Sequence, residues 1–242
     1  LGIIEDRKRV LKYEDVSNIL TVGGTILGSC NRANPFRYPV ETKTGKIRYR
    51  DISGKCIETL KSWNIDALIS IGGDGTMASA ARFAKMGIPV MGVPKTIDND
   101  LPSTDFTFGF DTAVTTAAEA IDKVHTTAGS HHRVMIVELM GRYAGWLTLY
   151  AGVASGSDII LIPEMPYDID KIREALLKRS KKGKRYSIIA VAEGAKPKGG
   201  KMTVAKTIAD SPDPIRLGGV AKMLAEQIPD GLDLNCRAVV LG

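Results

Sequence analysis

Residues 94–100, Pro-Lys-Thr-Ile-Asp-Asn-Asp, hold the densest set of reactive groups in this 242-residue chain. Two carboxylates, Asp98 and Asp100, stand two positions apart beside the Thr96 hydroxyl and the Lys95 ammonium. Phosphoryl transfer needs a base for the attacking hydroxyl, a metal ligand and donors for the migrating group, and this loop holds each type. The same stretch could instead close an Asx-turn, with Asp98 and Asn99 satisfying local backbone, but the adjacent lysine suits a ligand site better. A second loop, Gly72-Gly73-Asp74-Gly75-Thr76, has glycines that let N–H groups approach a phosphate. Its Asp74 could bind Mg²⁺ and its Thr76 could cap the following helix; a plain strand-to-helix turn is the alternative. No Walker-type Gly-x-x-x-x-Gly-Lys-Ser/Thr occurs. In a third loop, Met140-Gly141-Arg142, the glycine permits close substrate approach and the arginine fork can grip a phosphate, unless it pairs with a surface carboxylate. Arg133 stands at the start of the strand leading to it.

Strand tips must hold these loops. Apolar, β-branched runs at 65–71, 88–93, 134–139, 158–162, 187–192 and 237–241 read as strands. Helical patterns at 76–86, 111–128, 144–155, 168–180 and 217–227 alternate with them. Strands apolar throughout, alternating with helices, imply an α/β protein whose parallel sheets are covered on both faces, a doubly wound arrangement. Ligands in such sheets gather beyond the carboxyl ends of the strands, where all three loops fall. The first 63 residues are less regular, with helices expected at 13–19 and 53–63 and a hairpin at 39–50 turning at Lys43-Thr44-Gly45-Lys46. A long surface loop is expected at 195–214, and a domain change within the polar-aromatic stretch 101–109.

Composition narrows the class. With 44% hydrophobic and 25% charged residues the chain is of the soluble globular type. The net charge of +6 suits phosphorylated substrates, and the basic runs at 178–185 and 196–201 read as solvated surface rather than a nucleic-acid interface. Cys30, Cys56 and Cys236 are widely spaced and odd in number, which argues for small core residues in a reducing cytoplasm rather than disulfides or a zinc site. No apolar run reaches membrane-spanning length. His131 and His132 are adjacent and point apart, so they make no metal site with His125.

Taken together, these motifs resemble the phosphofructokinase family over nearly the whole chain. Gly-Gly-Asp-Gly-Thr at 72–76 resembles its metal–nucleotide loop, which NAD kinases and diacylglycerol kinases partly share. Pro-Lys-Thr-Ile-Asp-Asn-Asp at 94–100 resembles its more specific catalytic loop. Met-Gly-Arg at 140–142 and Ile-Pro-Glu at 162–164 follow at the family's spacing, and 23–29 resembles the stretch leading to its adenine site. The resemblance implies two Rossmann-like domains with the active site between them: an incomplete nucleotide-binding domain at 1–108 and a sugar-phosphate-binding domain at 109–242. It makes Asp98 the general base for the 1-hydroxyl of fructose 6-phosphate, with Thr96 beside the transferring group and Arg142 stabilising its charge. Ile97, Met140, Gly141 and Glu193 would bind the sugar. Gly73, Asp74, Gly75, Thr76 and Arg32 would bind nucleotide, and Asp74 and Asp100 the Mg²⁺ cofactor. Arg133 and Arg237 match arginines that reach the sugar phosphate of a neighbouring subunit, which implies a homo-oligomer.

The resemblance also sorts the phosphoryl donor. An aspartate at Gly75's position marks the pyrophosphate-dependent branch, where it would repel the α-phosphate of ATP; glycine leaves room. Lys95 is similar to that same branch. The pair Gly75 and Lys95 is similar to a mixed group that mostly uses ATP, so ATP is expected, with pyrophosphate as runner-up. Lys182 and Lys184 fall where effector-binding lysines stand in allosteric members, but His125 replaces an expected arginine, and a solvated basic helix end explains the lysines as well. A non-catalytic subunit is disfavoured because Asp74, Asp98, Asp100 and Arg142 are all present. The chain reads as a fragment, lacking the family's first glycine-rich loop and its His-x-x-Arg segment.

Overall fold

The computed structural model describes residues 1–30, 33–42, 44–207, 215–230 and 232–241. It divides into two compact units, Leu1–Val93 and Pro94–Gly242, a division earlier than the one drawn from sequence at 108/109. Residues between the two positions belong with the second unit because they fold back on its first strand. The Thr107 hydroxyl donates to the Thr96 carbonyl at 2.8 Å, and the Thr107 amide donates to Asn99 Oδ1 at 2.9 Å.

The first unit contains α1 (Tyr13–Val16), β1 (Tyr38–Glu41), β2 (Ile47–Arg50), α2 (Ser53–Ser62), β3 (Leu68–Gly72), α3 (Asp74–Lys85) and the start of β4 (Val90–Thr96). α1 stops short of the expected residue 19; Asn18, with φ of 60°, cannot continue a right-handed helix. β1 and β2 pair antiparallel from Tyr38↔Arg50 to Glu41↔Ile47, as the hairpin reading expects. α2 buries Cys56 and Leu60, four positions apart and so on one helical face. Cys56 joins Ile4, Phe36 and Phe83 in a small core whose two phenylalanine rings lie 5.0 Å apart. The Arg82 guanidinium covers Phe36 at 3.7 Å from the ring centroid.

The second unit continues from β4 through β5 (Phe108–Gly109), α4 (Phe110–His131), β6 (Val134–Leu139), α5 (Trp146–Ala154), β7 (Ile159–Leu161), α6 (Ile169–Lys181) and β8 (Ser187–Ala192). It ends with β9 (Val204–Thr207), β10 (Ile215–Leu217), α7 (Val220–Gln227) and β11 (Cys236–Val240). Four strands form a parallel sheet in the order β11-β6-β8-β7. Every residue of β6 and β8 is buried, which is what strands covered on both faces require. Met135, Val137 and Leu139 pack with Phe110 and Ile121 of α4 and Leu147 and Ala151 of α5. Val134 and Ile136 pack oppositely with Ile172 and Leu176 of α6 and Val220 and Leu224 of α7. The period-two alternation of β6 thus feeds two cores, and the sheet is doubly wound.

One expectation fails here. The stretch 195–214 is not a continuous loop: β9 pairs antiparallel with β10, from Ile215↔Thr207 to Leu217↔Val204. Residues 208–214 lie outside the described residues. β9 is exposed along its whole length, so no apolar alternation marks it in the sequence. The helix expected from 217 begins at Val220, because Leu217 closes β10 and Gly218 and Gly219 take φ of 135° and 88°.

Candidate functional site

In the first unit the second glycine-rich motif joins β3 to α3. Gly72 ends β3, and a Cβ there would collide with the Thr76 side chain, so the turn admits only glycine. The helix cap is Gly73, which has no side-chain capping bond. Thr76 is therefore not the cap expected from sequence; it is the third residue of α3, and its amide and that of Met77 both donate to the Gly73 carbonyl at 3.0 Å. The amides of Asp74 and Gly75 precede those first bonds, at the positive end of the helix dipole. A Cβ on Gly75 would meet nothing within 4 Å. Arg32 lies outside the described residues.

The second unit carries the other two loops. Thr96 closes β4 and its hydroxyl donates to Asp98 Oδ2 at 3.2 Å, while the Asp98 amide donates back to Thr96 Oγ1 at 3.2 Å. Asn99, at φ of 51°, accepts the Thr107 amide at 2.9 Å. The two alternatives for this loop therefore divide between neighbours: Asn99 serves the backbone, and the Asp98 carboxylate faces the Thr96 hydroxyl. Burial raises the Asp98 pKa above that of an ordinary carboxylate, and the like charge of Asp100 raises it further; Thr96 and Lys95 act in the opposite sense. Lys95 and Asp100 are exposed. Ile97 packs among the apolar residues of α4 and lines a groove with Leu139, Met140 and Leu241.

The loop after β6 is built against the end of β8. The Glu193 amide donates to the Leu139 carbonyl at 2.8 Å, and the Gly194 amide to the Gly141 carbonyl at 3.0 Å. Gly141 takes φ of 140°, and a Cβ on Gly194 would overlap the Arg142 carbonyl. The Arg142 guanidinium donates to the Ile215 carbonyl of β10. Burial raises the Glu193 pKa, Arg142 opposes the rise, and the charges of Glu138 and Asp98 add to it. Arg142 and Asp98 both lie within electrostatic reach of Glu193 in this unit.

Arg133 and Arg237 are not brought there. Arg133 precedes β6, and Arg237 pairs with Met135, so both lie at the amino ends of their strands. Met140–Arg142 follow the carboxyl end of β6, roughly 20 Å away at about 3.3 Å per residue. One copy of this unit cannot aim both sets of residues at one sugar phosphate.

Several residues escaped sequence reasoning. Gly194 is needed for the close approach just described. Glu164 of the Ile-Pro-Glu motif accepts the Gly145 amide at 2.8 Å, at the head of α5. Glu138 is a carboxylate inside a fully buried strand. A charged residue interrupting an apolar run was the available signal for it. Cys30 is exposed, against the expectation that all three cysteines are core residues, since it follows an irregular stretch with no apolar periodicity. Cys56 is buried, and the partly buried Cys236 thiol is pushed up to about 11 by burial. His125 and Lys184 line one cavity with Arg179 and Arg185, whereas Lys182 ends α6 as its C-cap.

Loops rich in glycine and acid stand at the ends of β3 and β4, and a third follows β6 of the doubly wound parallel sheet, the arrangement of a Rossmann-like α/β protein. A sequence profile of the family described as Phosphofructokinase matches residues 1–242, and the chain belongs to that family. It is 55% identical over 96% of its length to an ATP-dependent 6-phosphofructokinase of Clostridium perfringens, of which it covers 64%. It is 44% identical over 99% of its length to a pyrophosphate–fructose 6-phosphate 1-phosphotransferase of Dictyoglomus thermophilum, of which it covers 66%. The chain thus spans about two thirds or less of these relatives. Among solved structures, the phosphofructokinase of Saccharomyces cerevisiae superposes over the whole chain with a TM-score of 0.77 at 29% identity, 32% of that chain being covered. No described helix is long and apolar enough to cross a membrane.

Proposed function

We propose that the polypeptide carrying this chain is a cytoplasmic 6-phosphofructokinase, which transfers the γ-phosphoryl group of ATP to the 1-hydroxyl of fructose 6-phosphate and yields fructose 1,6-bisphosphate. The observation that carries the reading is Asp98: a partly buried carboxylate with a raised proton affinity, held by Thr96 and electrostatically linked to Glu193. A general base works best when its proton affinity approaches the operating pH, so a raised pKa suits a carboxylate that takes a proton from an alcohol. Asp98 accepts the proton of the 1-hydroxyl as its oxygen attacks the γ-phosphorus, and ADP leaves with the electrons of the broken bond. Arg142 stabilises the charge of the transferring group, and Glu193, Ile97, Met140 and Gly141 hold the sugar. Gly73, Asp74, Gly75 and Thr76 receive the nucleotide phosphates at the head of α3.

Among the described residues no three His, Cys, Asp or Glu side chains gather as a ready metal cage. Mg²⁺ needs none, because it binds through one or two carboxylates together with substrate phosphates and water. The exposed Asp100 and the helix-leading Asp74 fit that donor set. The ion supplies neutralisation of phosphate charge. Arg133 and Arg237 serve the site of a neighbouring copy, since their own strand ends point away from residues 140–142, and the protein works as a homo-oligomer.

Pyrophosphate is the second reading, supported by Lys95 and by pyrophosphate-dependent relatives such as that of Amycolatopsis methanolica at 47% identity. Gly75 favours ATP: its open surroundings leave the α-phosphate unopposed. A coupled assay of the complete polypeptide with fructose 6-phosphate, run with ATP and with pyrophosphate, tests both. Turnover with ATP supports the proposal, turnover only with pyrophosphate replaces it, and neither refutes it.

A further inference from the structure

The buried Glu138 belongs to neither the sugar loop nor the base. It is 2% exposed and stands one residue before Leu139 in the strand that ends at Met140–Arg142. Its Oε1 accepts the Gly219 amide at 2.9 Å, and its Oε2 accepts the Gly219 amide at 3.1 Å and the Ala221 amide at 2.9 Å. Those donors head α7, so the carboxylate is held by helix N–H groups and by the positive end of the dipole. Gly218 and Gly219, at φ of 135° and 88°, bend the chain sharply between β10 and α7, and a Cβ on Gly218 would crowd Glu138 Oε1 at 3.3 Å. At the other end of β10, the Ile215 carbonyl accepts the Arg142 guanidinium. One short segment, 215–219, is thus held by Glu138 and in turn holds Arg142.

Resting on the kinase reading above, we propose that Glu138 is a positioning residue: by anchoring the Gly218–Gly219 turn it fixes the carbonyl that orients Arg142 toward the transferring phosphoryl group. Glu138 touches no substrate in this role. Its effect reaches the reaction through Arg142.

The test uses Glu138→Gln in the complete polypeptide. Glutamine keeps the size of the side chain, but its NH₂ must face one of the donating amides, so a bond and the charge are both lost. The expected result is a kcat about tenfold or more lower with KM for ATP within about twofold, because Arg142 acts on the transition state. In an Arg142→Ala background the same substitution should cost less than about threefold more, since the two act through one contact. Gly219→Ala stresses the same turn from its other side: its Cβ meets nothing within 4 Å, so only the positive φ resists. It should lower kcat in the same direction if Glu138→Gln folds poorly. Unchanged kcat in a folded variant, or full multiplicative losses with Arg142→Ala, would overturn the inference. A parent protein inactive on fructose 6-phosphate refutes the kinase reading instead. The crystal structure of Glu138→Gln then decides the present point, with Arg142 displaced from the Ile215 carbonyl if it is right and unmoved if it is wrong.

Discussion

Replacing Gly75 with aspartate isolates the donor question from folding. Gly75 is the second residue of α3, and the space a side chain would enter is empty to 4 Å, so the substitution forces no repacking. Glycine in a helix is worth up to about 1 kcal/mol less than a better helix former, and an acid in the first turn gains about 0.3–1 kcal/mol from the dipole. The folded state should therefore be as stable as the parent or slightly more so. The same carboxylate meets an anion at the head of the helix as a like charge. At about 4 Å the repulsion is about 1 kcal/mol in water and about 4 kcal/mol at an effective dielectric of about 20. A loss of about 5- to 1000-fold in kcat/KM for ATP follows, since each ~1.4 kcal/mol is a factor of about ten. Pyrophosphate has no third phosphate to place there and should lose far less. The assay is kcat/KM with each donor, beside a thermal melt. Equal losses with both donors, or a melting temperature several degrees lower, would refute the reasoning.

Three other outcomes are expected. Asp98→Asn should lower kcat by about 100-fold or more while fructose 6-phosphate still binds, since general-base contributions are of about that size; undiminished turnover removes Asp98 as the base. Lys95→Gln removes a cation that lowers the Asp98 pKa, so the acid limb of the kcat/KM profile, already displaced upward by burial, should move to higher pH. A shift toward lower pH, or none, would detach that limb from Asp98. Arg133→Ala should raise KM for the sugar phosphate, and mixing it with Arg142→Ala subunits should restore part of the activity, because a hybrid interface rebuilds one complete site. No recovery on subunit exchange would contradict the assignment of Arg133 to a neighbour's site.

What the sequence alone determined was the order of elements and the identity of the reactive loops. Runs dominated by apolar residues, such as Val134–Leu139 with its single Glu138 and Ser187–Ala192 behind its leading serine, suit strands covered on both faces, and both are observed with the bounds expected. The three motif loops follow strand ends, because the glycines and acids that chemistry needs are also those that break strands. Local patterning did not reveal β9, whose exposed residues carry no period, or the division near Val93, which depends on where Thr107 finds its acceptors. Nor could spacing tell Asn99 from Asp98, or show that Glu138 serves a helix begun some eighty positions later. Hydrophobic period is a property of neighbours along the chain, whereas burial of a charge is settled by whichever distant donors the fold delivers to it. Only the tertiary structure supplies those donors to Glu138, and only it brings the Ile215 carbonyl to Arg142.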